Sequence, residues 1–119
     1  MNAAEQRQVA TRRSIEIRGA RSRIRKALWA GTLTFDDLDL DAPCLDRVAV
    51  IDLLAVAYRP PHPRRRAPHR PEPSAAAREW AKRLLWVFEA SPRVRVGALS
   101  PARQAELREL VKAALGAER

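Results

Sequence analysis

The stretch SIEIRGARSRIRKALWAG, from Ser14 to Gly31, decides the fold. Its apolar residues recur at intervals of three and four, the spacing of one face of an amphipathic α-helix. Glycine at position 31 can end that helix, because glycine adopts a left-handed conformation without steric cost. The apolar face consists of Ile17, Ala20, Ile24, Ala27 and Leu28. The sequence therefore predicts a helix from about Ser14, preceded by residues 1–13 that are flexible, frayed or loosely helical.

The same helix carries arginines on successive turns. Arg18, Arg21 and Arg25 form a stripe that flanks the apolar face, with the side chains about 5 Å apart along the helix axis. Like charges at this spacing repel, so the stripe costs stability unless an anion neutralises it. A solvated basic face without a partner is the alternative interpretation.

Three further helices are predicted from apolar spacing and from signals at helix ends. They cover about residues 45–58, 74–90 and 100–116, and each is bounded by Ser, Pro or Gly at one end or both. No segment has the alternating pattern of a convincing strand. The predicted fold is all-α: a long basic N-terminal helix precedes a small helical globule. A single domain is expected over residues 14–119, with a Pro/Arg-rich insertion at 59–73.

Smaller features complete the predicted globule. Thr34 and Asp37 can form a capping box around a short turn whose apolar residues pack on the core. Trp86 falls opposite the apolar face of its helix, which indicates a second packing surface or a contact with a protein partner. Arginine alternates with valine over residues 93–96, so both guanidinium groups can point the same way. Gly97 then allows a tight or left-handed backbone.

The charge of the chain indicates a polyanionic partner. The net charge is +9 and the sequence pI is about 11.3, which favours nucleic acid first and an anionic membrane surface second. The charge is also segregated, since residues 1–31 carry a net +6 and residues 32–58 a net −5. Arginine outnumbers lysine by 20 to 3. Arginine suits phosphate binding, although the codon usage of a GC-rich genome is an alternative explanation of that ratio.

Several classes of function are not expected. Cys44 is the single cysteine, so neither an intramolecular disulfide nor a cysteine zinc cluster can form. His62 and His69 have no other ligands nearby and are interpreted as solvent-exposed, so no metal site is predicted. The sequence has no nucleophile–base pair and no glycine-rich phosphate loop, so we expect no enzyme, no cofactor and no small-molecule substrate. Without a signal peptide or a membrane span, the chain is expected in the cytoplasm, off the membrane.

Three blocks of sequence occur in the order and spacing of a known family. They are GARSRIRKALWAG at 19–31, VAVIDLLAVA at 48–57 and RVRVGALSPARQAELREL at 93–110. Together they resemble the actinobacterial integration host factor family over roughly residues 15–115. That resemblance implies a globule similar to a helix-two-turns-helix ribosomal protein module. It also implies a non-enzymatic, weakly sequence-specific, nucleoid-associated protein that binds duplex DNA and bends or compacts it.

The resemblance implies a DNA-binding role for particular basic residues. Arg21 and Arg25 match the positions of the family's long helix that face phosphates. Arg93 and Arg95 match the arginine-rich loop before the last helix, which also contacts DNA in that family. The neighbouring candidates are Arg18 and Lys26.

The segment RPPHPRRRAPHRPEP, residues 59–73, departs from the family pattern. The family has a short glycine-containing turn there, which offers backbone N–H groups to a phosphate, and proline has no such group. We expect Arg64, Arg65 and Arg66 to contact DNA through their side chains instead. The segment is longer, stiffer and more basic than a connection within one globule requires. A solvated spacer and a proline-rich docking peptide are the alternatives.

Two other functions stay open at this stage. An RNA-binding or ribosome-associated protein is one, since a related helical module serves in ribosomes, although Trp86 is the one candidate for stacking on unpaired bases. A protein-interaction regulator is the other, using Trp86, the acidic residues 32–58 and the arm at 59–73. Both interpretations use the same basic, helical chain.

Overall fold

The computed structural model describes residues 2–59 and 71–117, and within them the chain is mainly α-helical. The four helices are α1 (Ala3–Ala30), α2 (Val50–Ala57), α3 (Ala75–Val87) and α4 (Pro101–Ala117). Two short 3-10 turns, Pro43–Leu45 and Val96–Ala98, precede α2 and α4. The predicted fold class is confirmed: a long basic N-terminal helix is followed by a small helical cluster. Most of the Pro/Arg-rich segment, residues 60–70, lies outside the described residues.

Helix α1 begins well before the expected position. The Asn2 side chain accepts a hydrogen bond from the Glu5 N–H at 2.8 Å, and the Glu5 carboxylate accepts one from the Asn2 N–H at 3.2 Å. This capping box starts the helix at Ala3, whereas the apolar pattern indicated about Ser14, because a cap is a local polar signal that apolar spacing does not register. Gly31 ends the helix as predicted, with φ of 81°. The flexibility expected of residues 1–13 stays a prediction.

The core of the protein is centred on α2, which packs chiefly against α3. Six of the eight residues of α2 are buried, because this helix is apolar on almost every side. The C-terminal end of α1, the loop after it and one face of α4 cover the remaining sides. These surrounding elements contribute Leu28, Trp29, Phe35, Leu38, Leu40, Leu107 and Val111. The N-terminal part of α1 contributes none of these buried residues.

Helix α2 is shorter than the predicted 45–58, since its first turn lies at Val50. The preceding backbone pairs instead with a distant segment. Ala49 forms an antiparallel β-bridge with Arg95, in which the Val50 N–H donates to the Val94 carbonyl at 3.0 Å. A second bond runs from the Val96 N–H to the Val48 carbonyl at 2.9 Å. A helix continuing through residues 46–49 would lose these bonds, and the pairing holds residues 93–96 beside the start of α2.

The other predicted helix ends agree with the structure in most respects. Ser74 accepts a hydrogen bond from the Ala77 N–H and caps α3, and Ser100 accepts one from the Arg103 N–H at the start of α4. Helix α3 ends at Val87 rather than near Ala90. It stops early because Glu89 adopts a left-handed φ of 58°, which turns the chain out of the helix.

Candidate nucleic-acid interface

Two of the predicted basic clusters meet at one cleft of about 770 Å³. One wall of the cleft is the middle of α1, residues 92–95 belong to the opposite wall, and residues 45–53 contribute further lining. The predicted site residues that line it are Arg18, Arg21, Arg25, Lys26, Arg93 and Arg95. The remaining three, Arg64, Arg65 and Arg66, lie outside the described residues. The basic cluster on α1 and the cluster of Arg93 and Arg95 are thus more than 60 positions apart in sequence but adjacent in space.

The α1 wall presents its basic side chains from successive turns. Arg18, Arg25 and Lys26 are exposed to solvent. Arg21 is half-buried, because its Nε donates a hydrogen bond of 2.6 Å to the Cys44 carbonyl. That bond ties α1 to the turn before α2, so Arg21 has a structural role as well as a place in the cleft. A guanidinium has five N–H donors, so the bond through Nε leaves its two terminal nitrogens for a ligand.

The opposite wall is fixed by the backbone pairing around Ala49. Val94 is half-buried and Val96 is buried, while Arg93 and Arg95 are exposed, as the alternation of arginine with valine predicted. The valines anchor the segment in the core, so the two guanidinium groups are carried on a supported strand-like backbone. Such support reduces the conformational entropy that a ligand must remove from this wall.

Gly97 allows this wall to approach the turn before α2. A Cβ atom at position 97 would lie 1.9 Å from the Asp46 Oδ1 and 2.7 Å from the Asp46 carbonyl oxygen. The Gly97 N–H donates to that same carbonyl at 3.0 Å. The left-handed backbone predicted as one alternative for Gly97 is not adopted, since the left-handed φ among the described glycines is at Gly31; glycine is needed at 97 for the close approach to Asp46, which the sequence did not predict.

Arg47 is a seventh basic residue of the cleft, and the sequence patterns did not indicate it. It is the one basic residue within the acidic stretch 32–58, and its place depends on the pairing of residues 48–50 with 94–96. A single non-local bridge leaves no signature in one sequence, so no pattern pointed to Arg47. Asp52 is the one carboxylate among the lining residues, which gives the cleft lining a net charge of +6.

Part of the cleft lining is apolar. It is formed by Leu45, Val48, Ala49 and Leu53, and no aromatic side chain is among the lining residues. The basic side chains of the lining offer charged N–H donors to the phosphate oxygens of a nucleic-acid backbone. The volume is in the range of small-ligand pockets, so the cleft can take one strand's backbone but not a whole duplex.

Trp86 lies apart from the cleft lining at the end of α3 and is 82% exposed, with Val87 beside it at 59%. The outward orientation predicted for Trp86 is confirmed.

Over residues 2–59 and 71–117, no group of three or more His, Cys, Asp or Glu side chains is placed to hold a metal ion. None of the described helices is both long and apolar enough to cross a bilayer. No protein-family model, curated protein or solved structure matches this chain.

Proposed function

We propose that this chain is a non-enzymatic, weakly sequence-specific DNA-binding protein of the architectural, nucleoid-associated kind. The observation that carries the proposal is the cleft, where seven basic side chains from three separate parts of the chain meet a single carboxylate. Unpaired like charges so close together destabilise a fold, and a polyanion removes that cost. The resemblance of three sequence blocks to the actinobacterial integration host factor family supports the same function.

Binding would rest on neutralising phosphates. One strand of the duplex lies in the cleft, with α1 on one side and residues 93–95 on the other, and each basic side chain displaces a condensed counterion from a phosphate. With six phosphates contacted, the logarithm of the binding constant should fall against the logarithm of salt concentration with a slope of about −5. Bending or compaction would require a second basic surface, on another face of the protein, to hold the same duplex at the same time.

Sequence preference is expected to be weak. Phosphate contacts set position and orientation on DNA but do not read bases. Arg95, or Arg65 outside the described residues, would add a mild A·T preference by entering a narrow minor groove. Bases stacked on aromatic rings are not expected in the cleft, which argues for duplex DNA over single-stranded or looped RNA.

The test uses Arg25→Gln, because Arg25 is exposed in the cleft and, unlike Arg21, does not carry the bond to Cys44. Arg78→Gln is the matched control: the same change at an exposed arginine on α3, outside the cleft lining. Fluorescence anisotropy on a generic duplex is measured across salt concentrations. Arg25→Gln should reduce the steepness of the salt slope by about 0.9, and Arg78→Gln should leave it unchanged.

Two results would contradict the proposal. One is a wild-type protein that binds no duplex even in dilute salt. The other is an equal weakening of binding by Arg25→Gln and Arg78→Gln, which would indicate a diffuse charge effect. Competition between duplex DNA and a structured RNA of equal length distinguishes the RNA-binding alternative. A protein partner that is retained at Trp86 after nuclease treatment would favour the interaction-regulator alternative.

A further inference from the structure

The N-terminal half of α1 extends away from the core. Every residue from Ala3 to Arg18 is exposed, including Ile15 at 62%. An isolated helix of about this length is marginal in water, since most helical stability in proteins comes from packing. The capping box at Asn2 supports this half, but no tertiary contact buries it. An exposed, unsupported helical half needs a partner to be fully stable.

One line along this half points to the basic wall of the cleft and carries a further arginine at its far end. Residues at successive spacings of four, three, four, three and four lie along one line of the helix. They are Arg7, Thr11, Ser14, Arg18, Arg21 and Arg25. The last three line the cleft and the first three lie on the extension. Arg7 and Arg25 are 18 residues apart, so the line is about 27 Å long at 1.5 Å per residue.

Acidic residues avoid this line. Helix α1 contains two carboxylates, Glu5 and Glu16, and at 100° per residue both fall on the opposite side of the helix. The middle of the line has small side chains, which would let a DNA backbone approach the helix closely. Both Thr11 and Ser14 are exposed, and the Thr11 hydroxyl donates a hydrogen bond of 2.8 Å to the Arg7 carbonyl. The line is therefore free of carboxylates, whereas the opposite side mixes Glu5 and Glu16 with Arg12 and Arg23.

We infer that the N-terminal half of α1 extends the cleft into a continuous track for the phosphate backbone of duplex DNA, with Arg7 as its outer contact. The inference rests on the proposed function. Phosphates of one strand wind around the duplex as they rise 3.4 Å each along its axis, so a straight track of about 27 Å meets only a few consecutive phosphates of that strand. Seated on DNA, the extension exchanges repulsion between its arginines for attraction to phosphates, and its helix is stabilised.

The test compares Arg7→Gln with Arg12→Gln in the full chain. Both change one exposed arginine in the same extension, but Arg12 lies off the line. Removing the Arg7 charge from one phosphate should reduce the steepness of the salt slope by about 0.9 and the affinity about eight-fold at 0.1 M salt, whereas Arg12→Gln should change neither. Circular dichroism should also show helix gained when a duplex is added to the wild type, and less gained with Arg7→Gln. Thermal melting confirms that both variants fold.

The outcomes separate the inference from the function it rests on. Equal losses of affinity for the Arg7 and Arg12 variants, or no loss for Arg7→Gln, overturn the track while Arg25→Gln still reports on the cleft. If Arg25→Gln weakens binding and Arg7→Gln does not, DNA ends at the cleft and the extension has another role. Absence of any duplex binding by the wild type removes the proposed function itself, and the track with it.

Discussion

Replacing Gly97 with alanine is expected to lower the free energy of unfolding by about 2–3 kcal/mol. The new Cβ would lie 1.9 Å from the Asp46 Oδ1 and 2.7 Å from the Asp46 carbonyl oxygen. The carboxylate can rotate away, but the carbonyl belongs to the backbone and accepts the Gly97 N–H at 3.0 Å. The backbone at 96–98 must therefore shift, which strains packing around Val96 and weakens that hydrogen bond.

The measurement is thermal and urea unfolding followed by circular dichroism. A loss of this size lowers Tm by about 10 °C in a domain of about this length. Gly19→Ala is the matched control, because a Cβ there meets Arg23 at an ordinary 3.5 Å within α1. That change should leave stability unchanged or raise it by about 0.5–1 kcal/mol, since alanine favours a helix over glycine.

A second variant shows whether the Asp46 carboxylate or the Asp46 carbonyl causes the loss of stability. Asp46→Ala combined with Gly97→Ala removes the carboxylate and leaves the 2.7 Å approach to the carbonyl. Since the carbonyl cannot move freely, the double variant should recover less than half of the stability that Gly97→Ala removes. The reasoning is refuted if Gly97→Ala melts within about 2 °C of the wild type, because the close approach would then cost almost nothing.

Two further changes have expected effects of different kinds. Glu89→Gly should raise the free energy of unfolding by about 0.5–1 kcal/mol, because glycine adopts the left-handed φ of 58° without the cost that a side chain adds; a lower urea midpoint would contradict this. Asp52→Asn removes the one carboxylate of the cleft lining and should tighten duplex binding by about 1 kcal/mol, roughly five-fold, at low salt. Anisotropy titration measures the second effect, and unchanged affinity would mean that DNA does not approach Asp52.

Local signals in the sequence account for much of the fold. Ser74, Ser100 and Gly31 lie at helix ends, because capping depends on residues within one turn of each other. The capping box of Asn2 and Glu5 is a local signal of the same kind and is readable from the chain. The apolar spacing gave no sign of this helix start, because the exposed N-terminal part of α1 packs against no other element and so has no apolar face.

The candidate site was predictable only in part, for a physical reason. Arginine-rich positions can be read from the chain, but whether Arg25 and Arg95 share a surface depends on the pairing at Ala49. That pairing consists of one bridge and its flanking hydrogen bonds between segments 46 residues apart. Non-local pairings of this kind are fixed by the packed core as a whole, so Arg47 could not be assigned before the structure.

The abundance of arginine has a structural explanation besides binding. Among the residues that the structure describes, four arginines donate to backbone carbonyls of residues far away in sequence. The pairs are Arg21 with Cys44, Arg59 with Leu28, Arg103 with Phe88 and Arg108 with Leu38. Hydrogen bonds from charged donors contribute more than neutral ones, and the planar guanidinium fork makes lysine a poor substitute. These hydrogen bonds therefore explain why the four positions are arginine, without an appeal to codon usage.

The basic residues of the chain fall into two groups, those that stabilise the fold and those that line the cleft. The carbonyl-bonded arginines of α4 and Arg59 stabilise the fold, and their charge does not by itself indicate a ligand. The cleft lining is different, because it combines seven basic residues with one carboxylate and so carries a net +6 out of the +9 of the chain. Of these seven, Arg21 alone has a described hydrogen bond to a backbone carbonyl. A concentration of charge that the fold itself does not use is the feature that a polyanionic ligand explains.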